Sequence, residues 1–285
     1  MSVRLLEPEE LAAERNPDWL IVQVVSADRF AAAHLPGAVL VEPAELVAGV
    51  APATGKLPDI RRLQSLFERI GYKPGRFVVA LDDEGGGWAG RLLWTLDCIG
   101  ERQWGYLNGG IVAWAEAGLP LSGHAVSATG STTEPEPPGP SGPLSLRIDP
   151  EPIAELADVR HALDDSDTQI WDVRSAEEYA GTRSASARAG HIPGAINLDW
   201  MALKDAGRGL RLIENLPQLL SDHGIDGQQK RVITHCQTHH RSGLSYLVGR
   251  LLGFKQIQAY HGSWSEWGND PDTPIVNPSA GERDE

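Results

Sequence analysis

The segment Arg231-Val-Ile-Thr-His-Cys-Gln-Thr-His-His-Arg-Ser-Gly243 concentrates side chains that could do chemistry. Cys236 is preceded by His235 and followed by Gln237, Thr238, His239, His240, Arg241 and Ser242. A thiolate, not a thiol, is the nucleophile, so the question is what would lower the pKa of Cys236. The apolar run ending at His235 reads as a strand, and Ser242 is a good N-cap for a following helix. Cys236 is therefore expected at a strand-to-helix turn. Unpaired N–H groups of a helix N-terminus favour an anion there. The cationic or protonatable set His235, His239, His240 and Arg241 acts in the same direction. A reactive nucleophile follows. A merely buried strand-end cysteine would leave that charge cluster unexplained. The other cysteine, Cys98, lies in the apolar helical pattern RLLWTLDCIG and is expected to pack as a small hydrophobe.

The elements that must hold this loop come as a diverged repeat. His34-Leu-Pro-Gly-Ala38 answers to His191-Ile-Pro-Gly-Ala195. The stretch from Phe77 aligns with that from Val232 and sets Asp82 opposite Cys236, and Gly109–Trp114 matches Gly262–Trp267. Three blocks in one order at nearly constant spacing imply two domains of similar fold. Strands are expected over 20–25, 39–41, 77–81 and 103–107, and again over 169–173, 195–198, 231–235 and 256–260. Helices are expected over 59–70, 88–99 and 111–117, then over 214–223, 242–252 and 263–267. Alternating strand and helix gives an α/β fold: two similar domains, each a parallel sheet flanked by helices on both faces. Sites in such sheets form at the carboxyl ends of strands, where Cys236 falls. The stretch SATGSTTEPEPPGPSGP cannot build a core and reads as a linker. The expected division is 1–122, linker 123–146 and 147–285.

The chain carries 25 Lys and Arg against 39 Asp and Glu, a net charge of −14, which disfavours nucleic acid or an anionic membrane as partner. With two cysteines, a disulfide scaffold is excluded. The N-terminal sequence lacks a continuous apolar core after its basic residue, so no signal peptide is expected, and no apolar run is long enough to span a bilayer. The expectation is a cytoplasmic, reducing setting in which a thiol stays free.

With these residues in view, the chain resembles the two-domain rhodaneses, the thiosulfate sulfurtransferase family. The paired His-x-Pro-Gly-Ala blocks, the cysteine loop and the closing GSWSEWGNDPDTPI stretch carry the resemblance, and CQTHHRS is similar to the loop of a bacterial subgroup. The resemblance implies catalysis in the C-terminal domain only, with the first domain silent because Asp82 stands where the nucleophile would be. It implies that Cys236 takes the outer sulfur of thiosulfate or another sulfane donor, holds it as a persulfide and passes it to cyanide or a thiol. It implies no cofactor beyond that covalent sulfur. Backbone N–H groups of 237–242 would cradle the outer sulfur, and Arg241 would pair an incoming oxyanion. His239 and His240 would add charge or donors, in protonation states the sequence does not give. Asp172 and Arg174, in the Asp-x-Arg-Ser-x-x-Glu-Tyr block, resemble the family's structural ion pair and are expected to support the site. His235 either joins the site or points into the core.

Other chemistries fit less well. Tyrosine phosphatases carry His-Cys-x5-Arg, whereas four residues separate Cys236 from Arg241 here, a smaller cradle suited to one sulfur atom rather than a phosphate. Zinc would need more ligands than His235, Cys236, His239 and His240 offer without a second cluster, so no metal is expected. A non-enzymatic binding module suits the first half but not the second. The loop is neither the usual thiosulfate nor the usual mercaptopyruvate type, so 3-mercaptopyruvate stays open as the alternative donor. Mammalian-type rhodaneses have a substrate-binding arginine where this chain has Glu178, and Arg183 and Arg188 are candidates to replace it.

Overall fold

Short, largely apolar runs form the inner strands of each sheet, which are mostly buried and lie between helical layers. In the computed structural model, which describes residues 3–14, 16–124 and 137–280, the strands are β1 (Arg4–Leu6), β2 (Leu20–Val24), β3 (Val39–Val41), β4 (Val78–Leu81), β5 (Trp104–Leu107), β6 (Ile153–Ala154), β7 (Thr168–Asp172), β8 (Ile196–Asn197), the small antiparallel pair β9 (Lys204–Asp205) and β10 (Arg211–Leu212), β11 (Arg231–His235) and β12 (Gln256–Tyr260). Two five-stranded parallel sheets result, in the orders β1-β5-β4-β2-β3 and β6-β12-β11-β7-β8. The second order is the first with each strand replaced by its repeat partner. The expected α/β fold with two similar domains is therefore present, and each sheet has one strand more than the sequence reading supplied. The extra strands, β1 and β6, are edge strands of three and two residues, too short to show a period.

The helices among the described residues are α1 (Pro8–Glu14), α2 (Ala27–Ala32), α3 (Ile60–Arg69), α4 (Gly87–Cys98), α5 (Gly110–Glu116), α6 (Leu156–Ala162), α7 (Ala176–Ala180), α8 (Leu216–Asp222), α9 (Arg241–Leu251) and α10 (Ser263–Trp267). Their starts follow local chemistry. Asp59 caps α3 by accepting from the N–H groups of Arg61 and Arg62, each at 3.0 Å. α4 and α9 follow the central strands β4 and β11 and are buried along almost their whole length. Cys98, at the end of α4, is fully buried, in keeping with a packing role. The repeat extends to side chains. His34 stacks on Phe30 and places Nδ1 2.8 Å from its carbonyl, and His191 does the same with Tyr179, also at 2.8 Å.

The chain divides into two compact units, and each takes a short segment from the other half of the sequence. Unit 1 comprises 1–46, 58–149 and 204–212, and unit 2 comprises 47–57, 150–203 and 213–285. In unit 1 the core joins Leu6, Leu11, Val79, Leu81, Leu107 and Trp114. In unit 2 it joins Ile170, Ile192, Ile233, Tyr260, Trp264 and Trp267. Of the proline-rich 123–146 stretch, residues 125–136 lie outside the described residues. Its later part runs along α3, where Ser141 N–H donates to the Glu68 carbonyl at 2.8 Å and Leu144 N–H to the Glu68 carboxylate at 2.7 Å. No described helix is long and apolar enough to cross a membrane.

Candidate active site

β11 is the middle strand of its sheet, and Cys236 is the first residue past its carboxyl end. The helix that follows starts at Arg241, one residue earlier than expected, with His240 as its cap. Residues 236–240 thus form a tight turn, closed where Gly243 N–H donates to the His240 carbonyl at 2.9 Å. His239 takes a left-handed conformation, φ 56°, which costs a non-glycine residue energy and persists only where neighbours fix it. The closing Gly262-Ser263-Trp264 stretch braces the turn from behind. Cys236 N–H donates to Ser263 Oγ at 3.3 Å, Trp264 N–H to the Cys236 carbonyl at 3.0 Å and Ser265 N–H to the Gln237 carbonyl at 2.9 Å. Gln237 Nε2 adds a bond to Ser186 Oγ at 3.0 Å.

The electrostatics favour a thiolate. Burial by itself pushes the Cys236 thiol up, but the Arg241 charge, the N–H and hydroxyl of Ser242 and the charge of His240 together hold it below its ordinary value. Ser242 Oγ also lies 2.7 Å from His239 Nδ1. A hydroxyl has one proton to give. It can therefore serve the sulfur as donor only while it accepts from His239. His240 packs edge-on to Trp200, with ring centroids 5.6 Å apart.

Arg241 is the loop's permanent cation, and Glu178 binds it through two hydrogen bonds, at 2.6 and 2.9 Å. Burial raises the Glu178 carboxyl, but Arg241 outweighs that and lowers it. Glu178 also serves the capping box of α7, accepting from Ser175 N–H at 3.2 Å. The sequence pattern Ser-x-x-Glu accounts for that second task and so conceals the first. Of the two arginines considered as replacements, Arg183 lies 3.4 Å from Glu178, and Arg188 donates to carbonyls of Thr273 and Trp267 at 2.8 and 2.9 Å.

Beneath the turn, Asp172 and Arg174 form a buried pair with Nε–Oδ1 2.9 Å and Nη2–Oδ2 2.5 Å. Arg174 also donates to the Gly190 carbonyl at 2.9 Å and covers the Trp264 ring at 4.4 Å. The pair thereby ties β7 to the bracing stretch. His235 is fully buried, and its Nε2 is 3.7 Å from Asp172, beyond hydrogen-bond reach. Burial lowers its pKa, so it is neutral at neutral pH and Arg174 is the lasting counter-charge of Asp172. Of the residues named from sequence, Cys236 to His240 form the turn, Arg241 and Ser242 open α9, the pair of Asp172 and Arg174 lies against the bracing Trp264, and His235 is buried. The bracing by Ser263 and Ser186 was not legible. Among the described residues no three His, Cys, Asp or Glu side chains gather as a metal site.

The equivalent turn in unit 1 is built on Asp82. Its carboxylate accepts from the N–H groups of Glu84 (3.2 Å), Gly85 (3.0 Å), Gly86 (2.9 Å) and Ala89 (2.9 Å). The cradle is filled by the chain's own carboxyl group, whose pKa burial raises against the pull of these N–H groups, and a carboxyl group cannot carry sulfur.

The sequence pattern of the rhodanese-like domain matches residues 7–117 and 155–270. The chain belongs to the rhodanese family. Among its relatives, the thiosulfate sulfurtransferase of Pseudomonas aeruginosa is 44% identical over 273 residues, 95% of this chain and 96% of that one. That of Azotobacter vinelandii is 43% identical over 272 residues, with the same shares covered. A solved rhodanese-fold neighbour, an anaerobic ergothioneine biosynthesis enzyme from Chlorobium limicola, has a TM-score of 0.78 at 24% identity over 96% of this chain and 70% of its own. That likeness speaks to the fold. Two rhodanese domains in one chain thus account for the repeat, and only the second has a cysteine after its central strand.

Proposed function

We propose that this rhodanese is a thiosulfate sulfurtransferase working through a persulfide on Cys236. The Cys236 thiolate attacks the outer sulfur of thiosulfate. The bond between the two donor sulfurs breaks, its electron pair leaves with sulfite, and Cys236 holds the transferred sulfur as a persulfide. A second nucleophile, cyanide or a thiol, attacks that sulfur and becomes thiocyanate or a persulfide, while the bond electrons return to Cys236 as thiolate. Arg241 and the Ser242 N–H stabilise the anion in both halves. No separate cofactor is needed, since the sulfur rides on the protein. A cytoplasmic setting, which keeps Cys236 reduced, suits this cycle.

One observation carries the reading: a buried cysteine at the strand-to-helix turn whose thiol is held low by Arg241 and Ser242. The names of the relatives at 43 and 44% identity support thiosulfate as donor. Incubation with thiosulfate followed by intact-protein mass spectrometry is expected to show one added sulfur atom. The adduct should persist in Cys98→Ala and vanish in Cys236→Ala. An equal adduct in Cys236→Ala, or none in the unaltered protein, would refute the proposal. Turnover with thiosulfate and with 3-mercaptopyruvate under matched conditions decides the donor.

A further inference from the structure

Residues 47–57 fall in the first half of the sequence but belong to the catalytic unit. They form a closed loop, in which Ala48 N–H donates to the Lys56 carbonyl at 2.7 Å and Gly49 N–H to the Thr54 carbonyl at 2.9 Å. The end of this loop is clamped. Lys56 Nζ pairs with Glu155 at 3.1 Å and Glu266 at 2.8 Å, and Leu57 N–H donates to His261 Nδ1 at 3.1 Å. That bond leaves Nε2 of His261 to donate to Glu155, also at 3.1 Å. Immediately before the clamp, buried Gly55 lies against the backbone of Thr238. A Cβ on Gly55 would stand 1.9 Å from the Thr238 carbonyl oxygen and 2.5 Å from its carbon.

Thr238 is the middle of the turn that presents Cys236, and it adjoins His239, whose left-handed backbone must be held by something outside itself. A rigid neighbour on the Thr238 peptide supplies such a hold, and only glycine allows so close an approach. We propose that the 47–57 loop is a positioning element of the catalytic turn, with Gly55 fixing the Thr238 peptide and through it the donors that face Cys236. This rests on the sulfurtransferase reading for its consequence in turnover, but not for its physical test. Gly55 touches no reacting atom. Its effect passes through Thr238 and His239 to Ser242 and Cys236.

The test reads the thiolate directly, through the pH dependence of Cys236 alkylation by iodoacetamide in a Cys98→Ala background. In Gly55→Ala the added methyl group must displace the Thr238 peptide. The alkylation profile is expected to move to higher pH, with the rate at neutral pH down about tenfold, the equivalent of losing one charge-assisted hydrogen bond to the sulfur. Thermal melting and circular dichroism check that the fold is kept. Lys56→Gln loosens the clamp without adding volume and should shift the profile in the same direction by less. A folded Gly55→Ala protein with the unaltered profile would overturn the proposal. If Gly55→Ala does not fold, an unaltered profile in Lys56→Gln overturns it instead. Absence of a persulfide in the unaltered protein would sink the sulfurtransferase reading and leave this alkylation result standing.

Discussion

Replacing Glu178 by glutamine isolates what the loop arginine contributes to donor binding. In the structure Glu178 takes two N–H groups of Arg241, at 2.6 and 2.9 Å, with 9% of its side chain exposed. A doubly charged donor must therefore draw on a guanidinium already paired with a carboxylate. A hydrogen bond between charged partners contributes ~1.5–3 kcal/mol, against ~1 kcal/mol for a neutral one. Glutamine keeps the shape, the bond to Ser175 N–H and one carbonyl for Arg241, but loses the charge. Arg241 should be released by about 1.5–3 kcal/mol, which is a roughly tenfold to hundredfold lower KM for thiosulfate at little change in kcat. The same change removes a negative charge near Cys236 and favours its thiolate further. Steady-state transfer from thiosulfate to cyanide at fixed pH and low salt measures this, and raising the salt should shrink the gain. A donor with one negative charge, such as 3-mercaptopyruvate, should gain less. An unchanged or higher KM for thiosulfate in a folded Glu178→Gln protein would refute the reasoning, since it would mean that Glu178 assists Arg241 rather than competing for it.

Three further outcomes are expected. Ser242→Ala removes a hydroxyl that bonds His239 and helps to hold the Cys236 thiol low, and should slow Cys236 alkylation at neutral pH about tenfold, as read by stopped flow with a small alkylating reagent. Asp82→Ala strips the acceptor from several buried N–H groups and should cost about 3 kcal/mol or more in urea unfolding while leaving sulfur transfer unchanged. Glu155 is lowered to about 2, chiefly by its bond to His261, from an ordinary 4.5. A depressed carboxylate gives stability that is complete above its unfolded pKa and is lost as pH falls through the folded one. Unfolding measured between pH 5 and about 2 should therefore show a loss that Glu155→Gln lacks.

The sequence carried the parts of the site that are local. Strand, cysteine, cationic cluster and helix start sit within thirteen consecutive residues, so the turn around Cys236 could be placed before any coordinates. That Asp82 occupies the matching position in the first domain was equally legible. What sequence could not show is what long-range packing decides. Ser263 lies in the Gly262–Trp267 block already marked as a repeat, but its bond to the turn, like that of Ser186, is made only through the fold. Glu178 was visible as a departure from the mammalian type, but its bond to Arg241 was hidden behind its capping role. The exchange of 47–57 and 204–212 between the units has no compositional signature, and the edge strands Arg4–Leu6 and Ile153–Ala154 are shorter than any period that could reveal them.

The two turns differ in who supplies their anion. In the first, the Asp82 side chain is part of the polypeptide and occupies the cradle from the moment the chain folds. In the second, on the proposed cycle, the anion is cargo that arrives and leaves with each turnover. Whatever binds a folded state more tightly than the unfolded one raises its melting temperature. Sulfur carried covalently stays on Cys236 in the unfolded chain, so loading should raise the melting temperature only by as much as the folded turn holds the persulfide better than the bare sulfur. The shift in melting temperature between the loaded and the unloaded protein then measures how well the turn fits its cargo.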